Sequence, residues 1–547
     1  MPIIEDSNIK VIDWSDRSRE KYWNYFSSEL CKKYGTDNIT ESKQIKDALN
    51  FLFEIITDKF LKIIFSQENI WFYKYVFHFN NNYIKLLFKS ESGRNLQELE
   101  YKNFAMNRRV LGLILEQGCD VNIKRDKIDE TLKKKYQELL EDLLYIGSWA
   151  YYIADFISIE SMLDSPLYID INKENIIDIK YKNENVTYFY KALNSEIDND
   201  FSEALHNASV ERVEVYKDKI QDCFNIDYNF ALKQIDEIQK YHKPTDSHLQ
   251  DIEFGTLEQN LINNGVKKET AEIFYSGLYL SKNNKQSLKE VIIRPHKLNR
   301  FHYKPILIYE INGKKRLLTS IDKISETIVM LHLKAFPWNE LYEEWKVNDC
   351  IKNYVQEISN VTGSNLEGHI EQIFLNNKSF AFDKNITSLL KKNNQNIDII
   401  KKCGEIDFVF IDDKNKIIYV SDCKFLKLRT EGVGFKMDFT TFRDKLEKQL
   451  ENKVNFANTN KNLFEEHFEV LTKTKRDFST YSVMGCFIIS TPTLYMYCDS
   501  KFAIYTINAL KKILKNVSPY ETIKINKETQ SGILYTDKID YPYLKSL

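Results

Sequence analysis

The sequence predicts a multidomain α/β (α+β) protein with a mainly helical N-terminal region, a mixed middle region and a C-terminal domain whose central mixed β-sheet is flanked by helices. Three observations carry that expectation. The 547 residues exceed one ordinary domain and suggest about three or four. Apolar residues recur at three and four spacing through most of residues 15–163, the period of an amphipathic helix. Beyond residue 360, short runs rich in β-branched and aromatic residues alternate with helical segments, as expected of strands covered by helices.

Composition narrows the function classes. With 43% hydrophobic and 29% charged residues the chain can bury large cores and is not disordered by composition. A formal net charge of -2 leaves no overall basic field, so any nucleic-acid site must be a local patch. The 8 cysteines are scattered, without a Cys-x-x-Cys pair, and a reduced compartment is expected. Met1 to Trp14 lacks the apolar core of a signal peptide, and no run of about 18 apolar residues could span a membrane. The expected location is the cytoplasm, with no membrane partner.

Residues 1–241 read as the helical region. Helices are expected over Ser15 to Tyr34, Thr40 to Phe65 and Leu96 to Gln117, where Gly118 stops the last. Another begins at Asp129 and includes the apolar Tyr145 to Phe156, while Trp71 to Phe88 fits helix or strand. Strands are expected at Asn175 to Lys182 and Val186 to Tyr190, bringing Asp170, Asp178 and Lys180 together after a helix that carries Glu160. A surface hairpin accounts for that group. Residues 242–255 read as a linker, because Pro and small polar residues cluster from His242 to His248.

In the middle region, 256–360, Asn312-Gly313 between two apolar runs is a strong hairpin signal, since both residues tolerate positive φ. Arg294, His296, Lys297, Arg300, His302, Lys304 and Lys314 to Arg316 make the segment locally basic; it suits either a phosphate backbone or plain solvent. Helices over Ser320 to Ala335 and Asn339 to Ile358 lead into the C-terminal domain, 361–547.

Within that domain the stretch Gly404 to Lys424 reads as a hairpin with Asp407 on its first strand and Asp422 and Lys424 at the end of its second. Period-2 alternation sends Asp422 and Lys424 to one face. Two acids beside a lysine are costly to bury without compensation, and they suit a hard divalent ion such as Mg²⁺ or Mn²⁺. Upstream, Glu367 and Glu371 share the apolar side of a helix with Ile370 and Phe374. Downstream, Phe439 to Phe456 reads as a helix with Gln449 and Lys453 inside its apolar stripe.

The order of inward Glu, short strand at Ser379 to Phe382, Asp407 strand and Asp422-Cys423-Lys424 strand resembles the PD-(D/E)xK, or restriction-endonuclease-like, nuclease superfamily. Ile406 stands where the family name has Pro, and the second acid is Asp where Glu is common. The similarity covers roughly residues 361–510. It implies a Mg²⁺-dependent endonuclease acting on nucleic acid, with DNA the expected substrate. Asp407, Asp422 and the Cys423 carbonyl would hold the metal, Lys424 would serve the attacking water and the phosphate, and Glu367 would act through a metal-bound water. Gln449 matches the residue that lines such sites from the following helix. Accessory regions of this superfamily commonly recognise DNA or partner proteins, so restriction or anti-phage defence is the expected setting, with a partner protein or a second copy of the chain as further partners. A catalytically silent scaffold on the same fold and an RNA-directed ribonuclease or toxin are the competing readings.

Overall fold

In the computed structural model, residues 3–6, 9–91, 103–124, 132–183, 185–241, 250–295, 297–377, 379–393, 395–519, 522–528 and 534–545 are described. The chain divides into two units. The first takes Met1–Ile157, Tyr168–Lys180 and His206–Ser359; the second takes Ser158–Leu167, Tyr181–Leu205 and Asn360–Leu547. The final division falls inside the helix Asp349–Leu375. No described helix is long and apolar enough to cross a membrane.

The first unit joins the expected helical and middle regions, and strand pairing is the reason. Asn122–Ile123 adds in parallel to Ile306–Ile311, and Gln250–Glu253, which falls in the expected linker, pairs antiparallel with Lys314–Thr319. Residues 242–249 of that linker, with His242 and His248, lie outside the described residues. The Asn312-Gly313 turn forms as its residues predict, with φ of 51° and 75°. The ambiguous Trp71 to Phe88 stretch is helical, inside Ile70–Glu91. Phe72, Tyr73, Val76, Phe77 and Ile84 are all fully buried, which a helix achieves by three and four spacing.

The second unit is built on a five-stranded sheet. Its strands are β1 (Ala381–Ile386), β2 (Ile406–Asp412), β3 (Ile417–Lys424), β4 (Ser482–Ile489) and β5 (Ala503–Thr506), side by side in that order. The first three pair antiparallel, and β3, β4 and β5 run parallel. The expected strand at Ser379 to Phe382 thus begins two residues later and runs to Ile386.

Alternation along these strands gives the sheet two apolar faces. On one, Phe408, Phe410, Tyr419 and Ile488 meet Leu366, Ile370 and Phe374 of the helix Asp349–Leu375 and Leu510 of Ile507–Ile513. On the other, Val409, Ile411, Ile418, Val420 and Phe487 meet Phe439, Phe442, Leu450 and Phe464 from the helices between β3 and β4. Each such side chain contributes on the order of 2 kcal/mol when fully buried. The expected strand Val186 to Tyr190 is a helix, Asn185–Ala192. Val186 and Phe189 are buried in the second core while Tyr188 is 40% exposed, a spacing that a strand could not satisfy.

Candidate active site

Asp407 and Asp422 become neighbours because β2 and β3 pair with Phe408 opposite Ser421, which sets Asp407 across from Asp422. Both share strand parity with Val409 and Val420, so they stand on the face covered by the helices between β3 and β4. Asp407 Oδ2 accepts the backbone N–H of Cys423 at 2.6 Å, and its Oδ1 accepts no hydrogen bond among the described residues. Lys424 Nζ lies 3.2 Å from Asp422 Oδ2 and 3.9 Å from Asp407 Oδ2. The hairpin therefore brings both acids and the lysine together.

A second lysine completes the group. Lys453, on the helix Glu447–Thr459, pairs with Asp422 Oδ1, and the Asp422 side chain is only 1% exposed. Burial first, and then the Asp422 charge, push the Asp407 carboxyl up to about 6, against the opposing pull of Lys424 and Lys453. Two like charges on neighbouring strands, one of them buried, favour a cation that can screen them.

Gln449 is exposed, and Lys453, one turn further on, takes the inward position instead. The cause lies upstream. Phe442–Leu446 is a π-helical turn, which adds a residue and rotates everything after it relative to a uniform 100° spacing. Both residues lay within the stripe expected from the sequence, and the burial of Leu450 and Ala457 decides between them.

Cys423 alternates to the other face, packed against the core that holds Leu366 and Ile370. Burial first, then the charges of Asp407 and Glu367, raise its thiol well above the ordinary range, so its side chain is inert and only its main chain belongs to the site. Glu367 bears on that thiol from the helix covering the opposite face. The charges acting on Asp407 come from Asp422, Lys424 and Lys453. Glu371 is bound to Lys384 at 2.6 Å.

Asp170, Asp178 and Lys180 also meet, with Lys180 Nζ at 2.6 Å from Asp170 and 3.4 Å from Asp178, but their side chains are 34%, 66% and 41% exposed. Glu160 is fully buried and accepts the Leu167 N–H. Exposed pairs of this kind contribute little and create no electrostatic demand for a metal. Of the basic tract, Lys304 is fully buried against Glu344 and the Ser276 and Gly277 carbonyls, so it cannot meet a phosphate backbone. His296 lies outside the described residues.

Among the described residues no set of three His, Cys, Asp or Glu side chains is gathered for a metal ion. The Asp407 and Asp422 pair still fits Mg²⁺, which takes one or two protein carboxylates and keeps several waters, and Asp407 Oδ1 is the oxygen left for it. Comparison of the chain with protein-family models, with curated proteins and with solved structures finds no match.

Proposed function

We propose that the second unit is a metal-dependent nuclease that hydrolyses phosphodiester bonds, with DNA as its substrate. The observation that carries this reading is the mutually repelling pair of half-buried Asp407 and buried Asp422, with the Lys424 ammonium 3.2 Å from the second acid. Two lysines match the two acids in number, yet the Asp407 carboxyl is still driven up to about 6. Asp407 and Asp422 would hold Mg²⁺ or Mn²⁺, which supplies an activated water and charge stabilisation on the phosphate. Lys424, with a side chain 23% exposed, would offer its ammonium to a phosphate oxygen. Lys453 holds the Asp422 carboxylate in orientation through their ion pair.

The test is cleavage of labelled single- and double-stranded DNA and RNA by the full chain with Mg²⁺, Mn²⁺ or EDTA. Cleavage of DNA with metal, lost with EDTA and in Asp407→Ala but retained in Asp178→Ala, is expected. Cleavage that persists in EDTA, or that survives Asp407→Ala, overturns the reading. Cleavage of RNA alone moves the substrate to the ribonuclease class.

A further inference from the structure

The two lysines of the candidate active site are held with unequal firmness. Lys453 pairs with Asp422 Oδ1 and donates a hydrogen bond to it, from a side chain 11% exposed. Gly404, two residues before β2, flanks its stem: a Cβ built there would lie 3.9 Å from Lys453 Cε. Lys424 is 23% exposed and stands 3.2 Å from Asp422 Oδ2 and 3.9 Å from Asp407 Oδ2. It makes no side-chain hydrogen bond among the described residues. A charge-assisted hydrogen bond strengthens the first pair and is missing from the second, so Lys424 is the more easily displaced.

The four carboxylate oxygens are unequally engaged. Asp407 Oδ2 accepts the Cys423 N–H, Asp422 Oδ1 is held by Lys453, and Asp422 Oδ2 faces Lys424. Asp407 Oδ1 accepts no hydrogen bond among the described residues. A hard divalent ion held by both acids therefore takes Asp407 Oδ1 together with an oxygen of Asp422. Of the Asp422 oxygens, Oδ2 has the more loosely held partner. An ammonium and a divalent ion on one oxygen repel each other, and more strongly in a partly buried site than in water. The lysine must yield that oxygen to the ion.

We propose that Lys424 is the exchangeable counter-ion of this site: it neutralises Asp422 Oδ2 until a divalent ion takes that oxygen, and then passes to a phosphodiester oxygen. The inference rests on the nuclease reading and adds an order of events to it. Metal binding releases the ammonium that phosphate binding uses, so the two are coupled through one side chain. Lys424 thus opposes metal binding although cleavage needs it. A lysine that only supported the fold would weaken metal binding when removed.

Calorimetric titration of the full chain with Mn²⁺ at pH 7.5, and acetylation by acetic anhydride quantified at each lysine by mass spectrometry, test it. Lys424→Met should bind Mn²⁺ about tenfold more tightly than the native chain, the effect of removing one charge a few ångströms from the site. In the native chain, saturating Mn²⁺ should raise the acetylation of Lys424 and leave that of Lys453 unchanged. Asp407→Ala should lose both the Mn²⁺ binding and the change in acetylation. Equal or weaker binding in Lys424→Met, or acetylation of Lys424 that saturating Mn²⁺ does not raise, overturns the exchange and leaves the metal site standing. No Mn²⁺ binding in either the native chain or Lys424→Met overturns the metal site, and the exchange with it. The acetylation measurement uses the native chain, so it decides alone if Lys424→Met fails to fold.

Discussion

Lys453 and Asp422, 31 residues apart in sequence, form an ion pair in which the lysine side chain is 11% exposed and the carboxylate 1%. The helix after β3 therefore reaches back to the second acid of the hairpin. Lys453→Ala should destabilise the protein by about 3 kcal/mol, the lower end for breaking a buried pair because Lys424 remains. It should also lower cleavage by at least tenfold. Gln449→Ala, on the exposed side, should change neither. Urea unfolding and cleavage rates of the two variants check the ranking, and equal effects would return the inward position to Gln449.

Glu367 and Glu371 sit one turn apart, and their surroundings separate them. Glu371 is engaged with Lys384, both side chains partly exposed at 27% and 36%, so Glu371→Gln should alter cleavage by less than about threefold, as surface pairs contribute little. Glu367 acts on Cys423, the residue whose main chain binds Asp407. Glu367→Gln should reduce kcat by about tenfold, less than the 10²-fold or more of a directly acting acid or base. Single-turnover rates in proteins of equal Tm distinguish these outcomes.

His332 is fully buried, and burial lowers its imidazole to about 4 from an ordinary 6.5. Its Nδ1 lies 2.9 Å from the Ile328 carbonyl, and Nε2 is buried without a partner among the described residues. The folded pKa lies below the unfolded one, so the unfolded chain binds the extra proton first. Stability from this group is complete above about pH 6.5 and is lost as pH falls towards 4, by about 3 kcal/mol. His332→Phe should remove that part of the acid sensitivity. Urea unfolding at pH 7, 5.5 and 4.5 should show a smaller decline in the variant; parallel curves would contradict the assignment.

Cys223 and Cys350 are joined by a disulfide across 127 residues, with Cα atoms 5.3 Å apart. This departs from the expectation of reduced thiols, because only the fold brings the end of the helix Asn199–Phe224 to the start of Asp349–Leu375. A loop of that length implies stabilisation of up to about 5 kcal/mol. Reducing agent should lower the urea midpoint of the native protein and leave that of Cys350→Ser unchanged. An unchanged native midpoint would mean that the bond does not form in solution.

The sequence by itself determined the hairpin that carries Asp407, Asp422 and Lys424, as well as the Asn312-Gly313 turn. Local chemistry is sufficient for both: alternation assigns side chains to a face, and two residues that tolerate positive φ define a turn. Tertiary structure alone decided between Gln449 and Lys453, since a π-turn at Phe442–Leu446 changes the helical phase without any signature in residue type. The same holds for Val186 to Tyr190, where burial of Val186 and Phe189 selects a helix over the strand that β-branched and aromatic residues suggest. It holds also for the disulfide and for the strand Gln250–Glu253 within the expected linker. Each depends on which distant segments share a core, and residue spacing along the chain carries no record of that.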